Sequence, residues 1–64
     1  MIRFNGAQEV FVEENVSEFL ARHSIEVRGI AVAINGEVVR RREWTTTLIP
    51  DGAQVEVVTA VAGG

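Results

Sequence analysis

The segment NVSEFLARHSI, residues 15–25, decides the fold because it carries the helical pattern of this chain. Apolar positions recur at i, i+3, i+4 and i+7, and they are occupied by Val16, Phe19, Leu20 and His23. Asn15 suits the N-cap, and Glu18 three residues later completes a capping-box pattern. The segment therefore predicts one amphipathic helix of roughly ten residues that ends before Gly29.

Charged residues stand at both ends of this predicted helix. Glu13 and Glu14 lie near the positive end of the helix dipole. Arg22 and His23 lie near its negative end. Helix electrostatics explains the adjacent carboxylates, which give no sign of a catalytic pair. We interpret His23 as a helix-face residue rather than as a base or a metal ligand.

The chain before the helix, MIRFNGAQEVFV, has the pattern of a β-hairpin. Ile2 and Phe4 lie two residues apart, which places them on one face of a strand. Asn5-Gly6 is a strong hairpin signal because both residues tolerate a positive φ. The predicted return strand carries Val10 and Val12, with Phe11 on its opposite face.

The chain after the helix begins with a second hairpin pattern. IAVAIN, residues 30–35, is a short apolar strand, and Asn35-Gly36 repeats the turn signal. Val38 and Val39 begin its partner strand. The following RRREWTTTLIP is irregular or weakly extended, and its expected buried anchors are Trp44, Leu48 and Ile49. Arg40–Arg42 read as a solvated face, with a docking patch for an acidic partner as the alternative.

The last strand pattern, AQVEVVTAV, follows the turn Pro50-Asp51-Gly52. Val55 and Val57 are expected to face the core. The residues expected to face outward are Glu56, Val58 and Ala60. Glu56 and Val58 form the candidate partner surface, next to the end of the chain.

The predicted order is strand, strand, helix, strand, short strand, strand. One helix covers one face of one sheet, so the expected fold is a two-layer α+β domain. With 64 residues and no linker or repeat, we expect a single domain, residues 1–64.

The composition excludes several classes of function. The chain has no cysteine and one histidine, which removes thiol chemistry and a His-rich metal site. A net charge of −3 argues against nucleic acid as the main partner. No apolar run is long enough to span a membrane, and the start does not resemble a signal peptide. We expect a soluble cytoplasmic protein without a bound cofactor, a metal ion or catalytic residues of its own.

The chain ends in Gly63-Gly64. A frayed terminus is the simplest interpretation. Glycine, however, has no Cβ, so its backbone can enter a narrow channel and its carbonyl carbon is open to attack. ATP could activate the Gly64 carboxylate as an acyl-adenylate, and a sulfur nucleophile could displace AMP to leave a thiocarboxylate. All six basic side chains are arginine, so the protein cannot be built into chains through lysines of its own.

These residues carry a resemblance to a known family. The segment A-V-A-x-N-G-x-V-V-x-R-x-x-W (residues 31–44), the turn and strand D-G-x-x-V-E-V-V (residues 51–58) and the terminal Gly-Gly are similar to the ThiS family, the bacterial sulfur carriers of thiamin (thiazole) biosynthesis. The resemblance covers essentially the whole chain. It implies a ubiquitin-like β-grasp fold, with a mixed four- to five-stranded sheet on one helix and the first and last strands parallel and adjacent.

The resemblance also implies a function for the chain end. A ThiF-like adenylating enzyme would use ATP to activate Gly64, a persulfide donor would supply sulfur, and a ThiG-like thiazole synthase would receive it. Gly64 would be the modified residue. The partner-threaded tail would comprise Ala60, Val61, Ala62 and Gly63, of which residues 61–64 are expected to be flexible.

Three alternatives share the Gly-Gly end. One is a related sulfur carrier for molybdopterin or for tRNA thiolation. Another is a ubiquitin-like protein modifier that joins its C-terminus to lysines of its targets. The last is a plain binding module whose Gly-Gly end is incidental. The segment from Asn35 to Trp44 and the short chain favour the thiamin carrier.

Overall fold

The computed structural model describes residues 1–59. Its elements follow the predicted order: β1 (Ile2–Phe4), β2 (Ala7–Glu9), α1 (Val16–Arg22), β3 (Ile30–Ile34), β4 (Glu37–Val39), a 3₁₀ turn (Arg41–Glu43) and β5 (Gln54–Thr59). No helix in this range is both long and apolar enough to cross a membrane.

The five strands form one mixed sheet in the order β2-β1-β5-β3-β4. β1 pairs with β5 in parallel, and the other three pairings are antiparallel. The last strand in the sequence is therefore the middle strand of the sheet. The predicted mixed sheet and its parallel first and last strands are confirmed.

The core lies between α1 and one face of this sheet. Val16, Phe19 and Leu20 contribute the fully buried helix face, as their spacing predicts. The rest of the buried cluster comprises Ile2, Val32, Trp44, Ile49, Ala53 and Val55. Val57 packs against it from β5, so the predicted inward face of this strand is confirmed.

Both ends of α1 are closed by specific hydrogen bonds. The Asn15 side chain accepts from the Glu18 amide, and Glu18 accepts from the Asn15 amide, so the predicted capping box is present. At the other end the amides of Ser24 and Ile25 donate to Ala21 and Leu20. This is the Schellman pattern, with Ser24 at a φ of 56° where glycine is usual. The helix therefore has seven residues and is shorter than predicted.

Two predictions were wrong: Val10 and Val12 do not lie in the return strand of the first hairpin, and Leu48 is not buried. The return strand of the first hairpin is Ala7–Glu9, because the two-residue turn lets pairing resume at once. Val10 is consequently 70% exposed, and Phe11 packs against the core. Leu48 is 63% exposed while Ile49 is buried, since neighbours on an extended chain point in opposite directions.

Candidate functional site

The end of β5 is the place from which the chain continues to Gly64. On one side, Thr59 and Val58 pair with Ile30 and Ala31 of β3. On the other side, β1 is in register with β5 only as far as Phe4 opposite Val55. Beyond Val55, β5 would thus have no hydrogen-bonding partner on the β1 side unless another residue supplied one.

Asn5 supplies that contact from the first turn. Its amide N–H donates to the Val55 carbonyl at 2.9 Å. Its side-chain Oδ1 accepts from the Val57 amide at 2.9 Å, and its Nδ2 donates to the Val57 carbonyl at 3.2 Å. The side-chain amide therefore occupies the position of the next peptide group of β1. Asn-Gly predicted the turn, and nothing in the sequence pattern predicted this pairing.

The sheet face opposite the helix is open beside the end of β5. Glu56 and Val58 point to this side, as predicted, and Val58 is 58% exposed. Together with Ala31, Ala33 and Val38 they line a shallow depression of about 150 Å³. The exposed fraction of Val38 is 70%, so the depression is bordered by accessible apolar side chains. Its role as a partner surface stays a prediction.

His23 lies at the end of α1 and is engaged with the fold. Its ring packs against both Phe4 and Phe19, at centroid distances of 4.8 and 4.4 Å. Its Nε2 lies 2.9 Å from Glu9 Oε1 and fastens the end of β2 to the helix. No cluster of three potential metal ligands occurs among residues 1–59. The interpretation of His23 as a helix-face residue is therefore supported by its packing.

Glu14 differs from its predicted role at the helix dipole. It is buried, and Arg22 donates to both of its carboxylate oxygens, with the shortest bond 2.7 Å from Nη2 to Oε2. Arg22 also reaches Glu9 at 3.4 Å. The hydrogen bonds to Glu14 raise the pKa of the Arg22 guanidinium above its usual value. The sequence did not predict this ion pair, because Glu14 lies in the loop before the helix and Arg22 lies eight residues later in its last turn.

The three consecutive arginines do not act as one surface. Arg41 lies over the Trp44 ring at 4.9 Å and donates to the Val27 carbonyl, so it is part of the packing around Trp44. Trp44 is buried, and its Nε1 donates to the Val39 carbonyl at 3.0 Å. The prediction of Trp44 as an anchor is confirmed. Arg40 and Arg42 are exposed, and their docking role stays a prediction.

The predicted tail, Ala60, Val61, Ala62, Gly63 and Gly64, lies outside the described residues. What the structure shows is the base of that tail: a central strand held by β3 on one side and by Asn5 on the other.

Comparison with known proteins assigns the chain to a family. The model of the ThiS family matches residues 2–64. The chain belongs to the ThiS family. The sulfur carrier protein ThiS of Escherichia coli strain K12 is 33% identical over 64 residues, which cover 98% of this chain and 97% of that relative.

Two solved structures of thiamine biosynthesis proteins have the same fold. The crystal structure of the thiamine biosynthesis protein ThiS from Geobacter metallireducens is similar with a TM-score of 0.88 and 28% identity, over 98% of this chain and 97% of that one. A solution NMR structure of a thiamine biosynthesis protein from the same organism is similar with a TM-score of 0.76 and 30% identity. That match covers 98% of this chain and 86% of the other. The β-grasp fold implied by the resemblance is thereby confirmed.

Proposed function

We propose that this ThiS-family chain carries sulfur for the thiazole ring of thiamin as a thiocarboxylate on Gly64. The observation that supports it is the family match over residues 2–64, which includes Gly63-Gly64. The Escherichia coli relative named as a sulfur carrier is matched over almost its whole length. The chain is on this proposal a carrier and a co-substrate of other enzymes.

The proposed chemistry begins at the carboxylate of Gly64. A carboxylate oxygen attacks the α-phosphorus of ATP, which forms an acyl-adenylate and releases pyrophosphate. The terminal sulfur of a cysteine persulfide on a donor protein then attacks the carbonyl carbon, and AMP leaves. A second thiol of the donor system reduces the resulting sulfur–sulfur bond, which forms a disulfide there and frees the thiocarboxylate.

The partners supply every reactive group in this scheme except the carboxylate. The sequence contains no cysteine, and its one histidine packs against two phenylalanines and is hydrogen-bonded to Glu9. A ThiF-like enzyme binds ATP and performs the adenylation, and a ThiG-like thiazole synthase accepts the sulfur. The contribution of this chain is a rigid sheet whose central strand leads to the reactive end.

Intact-mass measurement tests the proposal directly. The chain is incubated with ATP, the adenylating enzyme, a persulfide donor and a thiol reductant. We expect the mass to rise by the difference between one sulfur and one oxygen atom. A variant without Gly64 serves as the control. It should keep the unfolding midpoint of the wild type and remain unmodified, because the last residue of a chain usually adds little to the stability of a domain.

An unchanged mass of the wild-type chain with the cognate enzymes would refute the carrier function. Modification of the variant without Gly64 would refute the assignment of the site. Conjugates joined to lysines of other proteins would instead identify a protein modifier. Capture of a molybdopterin-synthase subunit in place of a thiazole synthase would identify the related carrier.

A further inference from the structure

The two hairpins of this fold hold opposite ends of the same strand. Each has an Asn-Gly turn with positive φ at both residues, 48° and 88° at Asn5-Gly6 and 52° and 84° at Asn35-Gly36. Asn35 fixes the first residue of β5: its Oδ1 accepts from the Gln54 amide at 2.9 Å. Asn5 fixes the residue two positions before the end of β5, through both hydrogen bonds to Val57.

The requirements of the turn do not account for the side chain of Asn5. Glycine adopts positive φ freely, so the turn needs only a permissive backbone at this position. The amide group does something further, because it satisfies both backbone groups of Val57 on the side where β1 has ended. Val57 is followed by only Val58 and Thr59 before the tail begins.

We propose that Asn5 is a positioning residue for sulfur loading: its side-chain amide fixes the base of the tail, so that a docked partner receives the Gly64 carboxylate from a defined point. This inference rests on the proposed function. The physical basis is that a reactive group on a well-held base reaches its target more often than one on a loose base. Asn5 acts through Val57 and touches no reacting atom.

Removal of the Asn5 side-chain amide should lower kcat for adenylation, whereas a loss of docking would raise KM. In the variant, the partner enzyme still docks on the same folded domain, so KM for the chain changes little. Within the complex, the carboxylate is in place for a smaller fraction of the time. We therefore expect Asn5→Gly to lower kcat for adenylation by about tenfold, with KM for the chain within about a factor of two.

Asn35→Gly is the matched control. It places the same residue in the same type of turn, and it removes a side-chain hydrogen bond to the same strand at the end remote from the tail. Its kcat should equal that of the wild type. Asn5→Asp is the conservative variant. Its carboxylate still accepts from the Val57 amide but cannot donate to the Val57 carbonyl. We expect its kcat to lie between those of the wild type and Asn5→Gly.

The experiment compares these four proteins in pyrophosphate release with ATP and the ThiF-like enzyme, at a temperature where Trp44 fluorescence shows all of them folded. Amide hydrogen exchange is measured on the free proteins. Faster exchange at Val57 in Asn5→Gly than in Asn35→Gly is expected. Equal kcat in the two glycine variants, or equal exchange, would overturn this inference alone. Failure of the wild-type chain to be adenylated would overturn the proposed function and the inference with it.

Discussion

Arg22 is the residue whose replacement tests the ion-pair network most sharply. Its guanidinium donates three hydrogen bonds to the Glu14 carboxylate, which is only 7% exposed. Arg22→Met keeps an unbranched side chain beside Phe19 and removes the donors. The Glu14 carboxylate then stays buried without its cation, which is the costly half of breaking a buried pair.

The expected size of the effect follows from this geometry. Hydrogen bonds to charged groups contribute about 1.5 to 3 kcal/mol to stability. Arg22 is 40% exposed, so solvent screens part of the interaction. We therefore expect Arg22→Met to lower the free energy of unfolding by about 2 kcal/mol. For a chain of 64 residues the total is on the order of 3 to 10 kcal/mol, so this is a large share.

Urea unfolding followed by the fluorescence of Trp44 measures this loss, because it is the only tryptophan and it is buried. Thermal unfolding should show a midpoint lower by roughly 10 °C. Arg28→Met is the matched control: it also removes one positive charge, from an exposed side chain, and should stay within about 0.5 kcal/mol. The double variant Glu14→Gln/Arg22→Met should lose less than the sum of the single variants. An Arg22→Met loss no greater than that of Arg28→Met would refute the reasoning.

Two other contacts make separate predictions. The Met1 amino group lies 2.7 Å from Asp51 Oδ1, and this hydrogen bond lowers the pKa of Asp51 below 3.8. The pKa of Asp51 is lower in the folded chain than in the unfolded chain. The contact therefore stabilises the fold above pH 3.8, and this stabilisation is lost as the pH falls through the folded-state pKa. The difference in urea midpoint between wild type and Asp51→Asn should therefore be present near about pH 6 and shrink as the pH falls below about 4; a constant difference would contradict this prediction. Trp44→Phe removes the donor to the Val39 carbonyl and should lower the free energy of unfolding by about 1 to 3 kcal/mol, measured by circular dichroism. Leu48→Ala changes an exposed side chain and should lower it by no more than about 0.5 kcal/mol. A loss at Leu48 equal to that at Trp44 would show that the assignment of the anchors is wrong.

The features that the sequence predicted are those encoded by local pattern. Helix spacing identified Val16, Phe19 and Leu20 as core residues, and the capping box was predicted from Asn15 and Glu18. Both Asn-Gly turns were located because positive φ restricts which residues fit. Each of these signals lies within eight consecutive residues, where one period or one turn determines the outcome.

The features that the sequence did not predict depend on contacts across the chain. The burial of Glu14 depends on where the loop before α1 meets the helix end, which no local period encodes. The side chain of Asn5 finds Val57 across 52 positions. The parallel pairing of β1 with β5 came from the family resemblance, since the strand patterns allowed this order without requiring it. The exposed Leu48 shows the same limit, because two adjacent apolar residues leave open which one turns inward.

The placement of β5 has a consequence for the synthesis of the protein. The strand that joins the two hairpins is the last one to be made, and the sheet cannot close before residues 54 and 55 reach Arg3 and Phe4. A chain that stops before β5 leaves each hairpin as an isolated pair of strands, which is marginally stable at best. Interrupted synthesis thus yields an unfolded fragment rather than a folded, truncated domain, and unfolded chains are the ones that proteases remove.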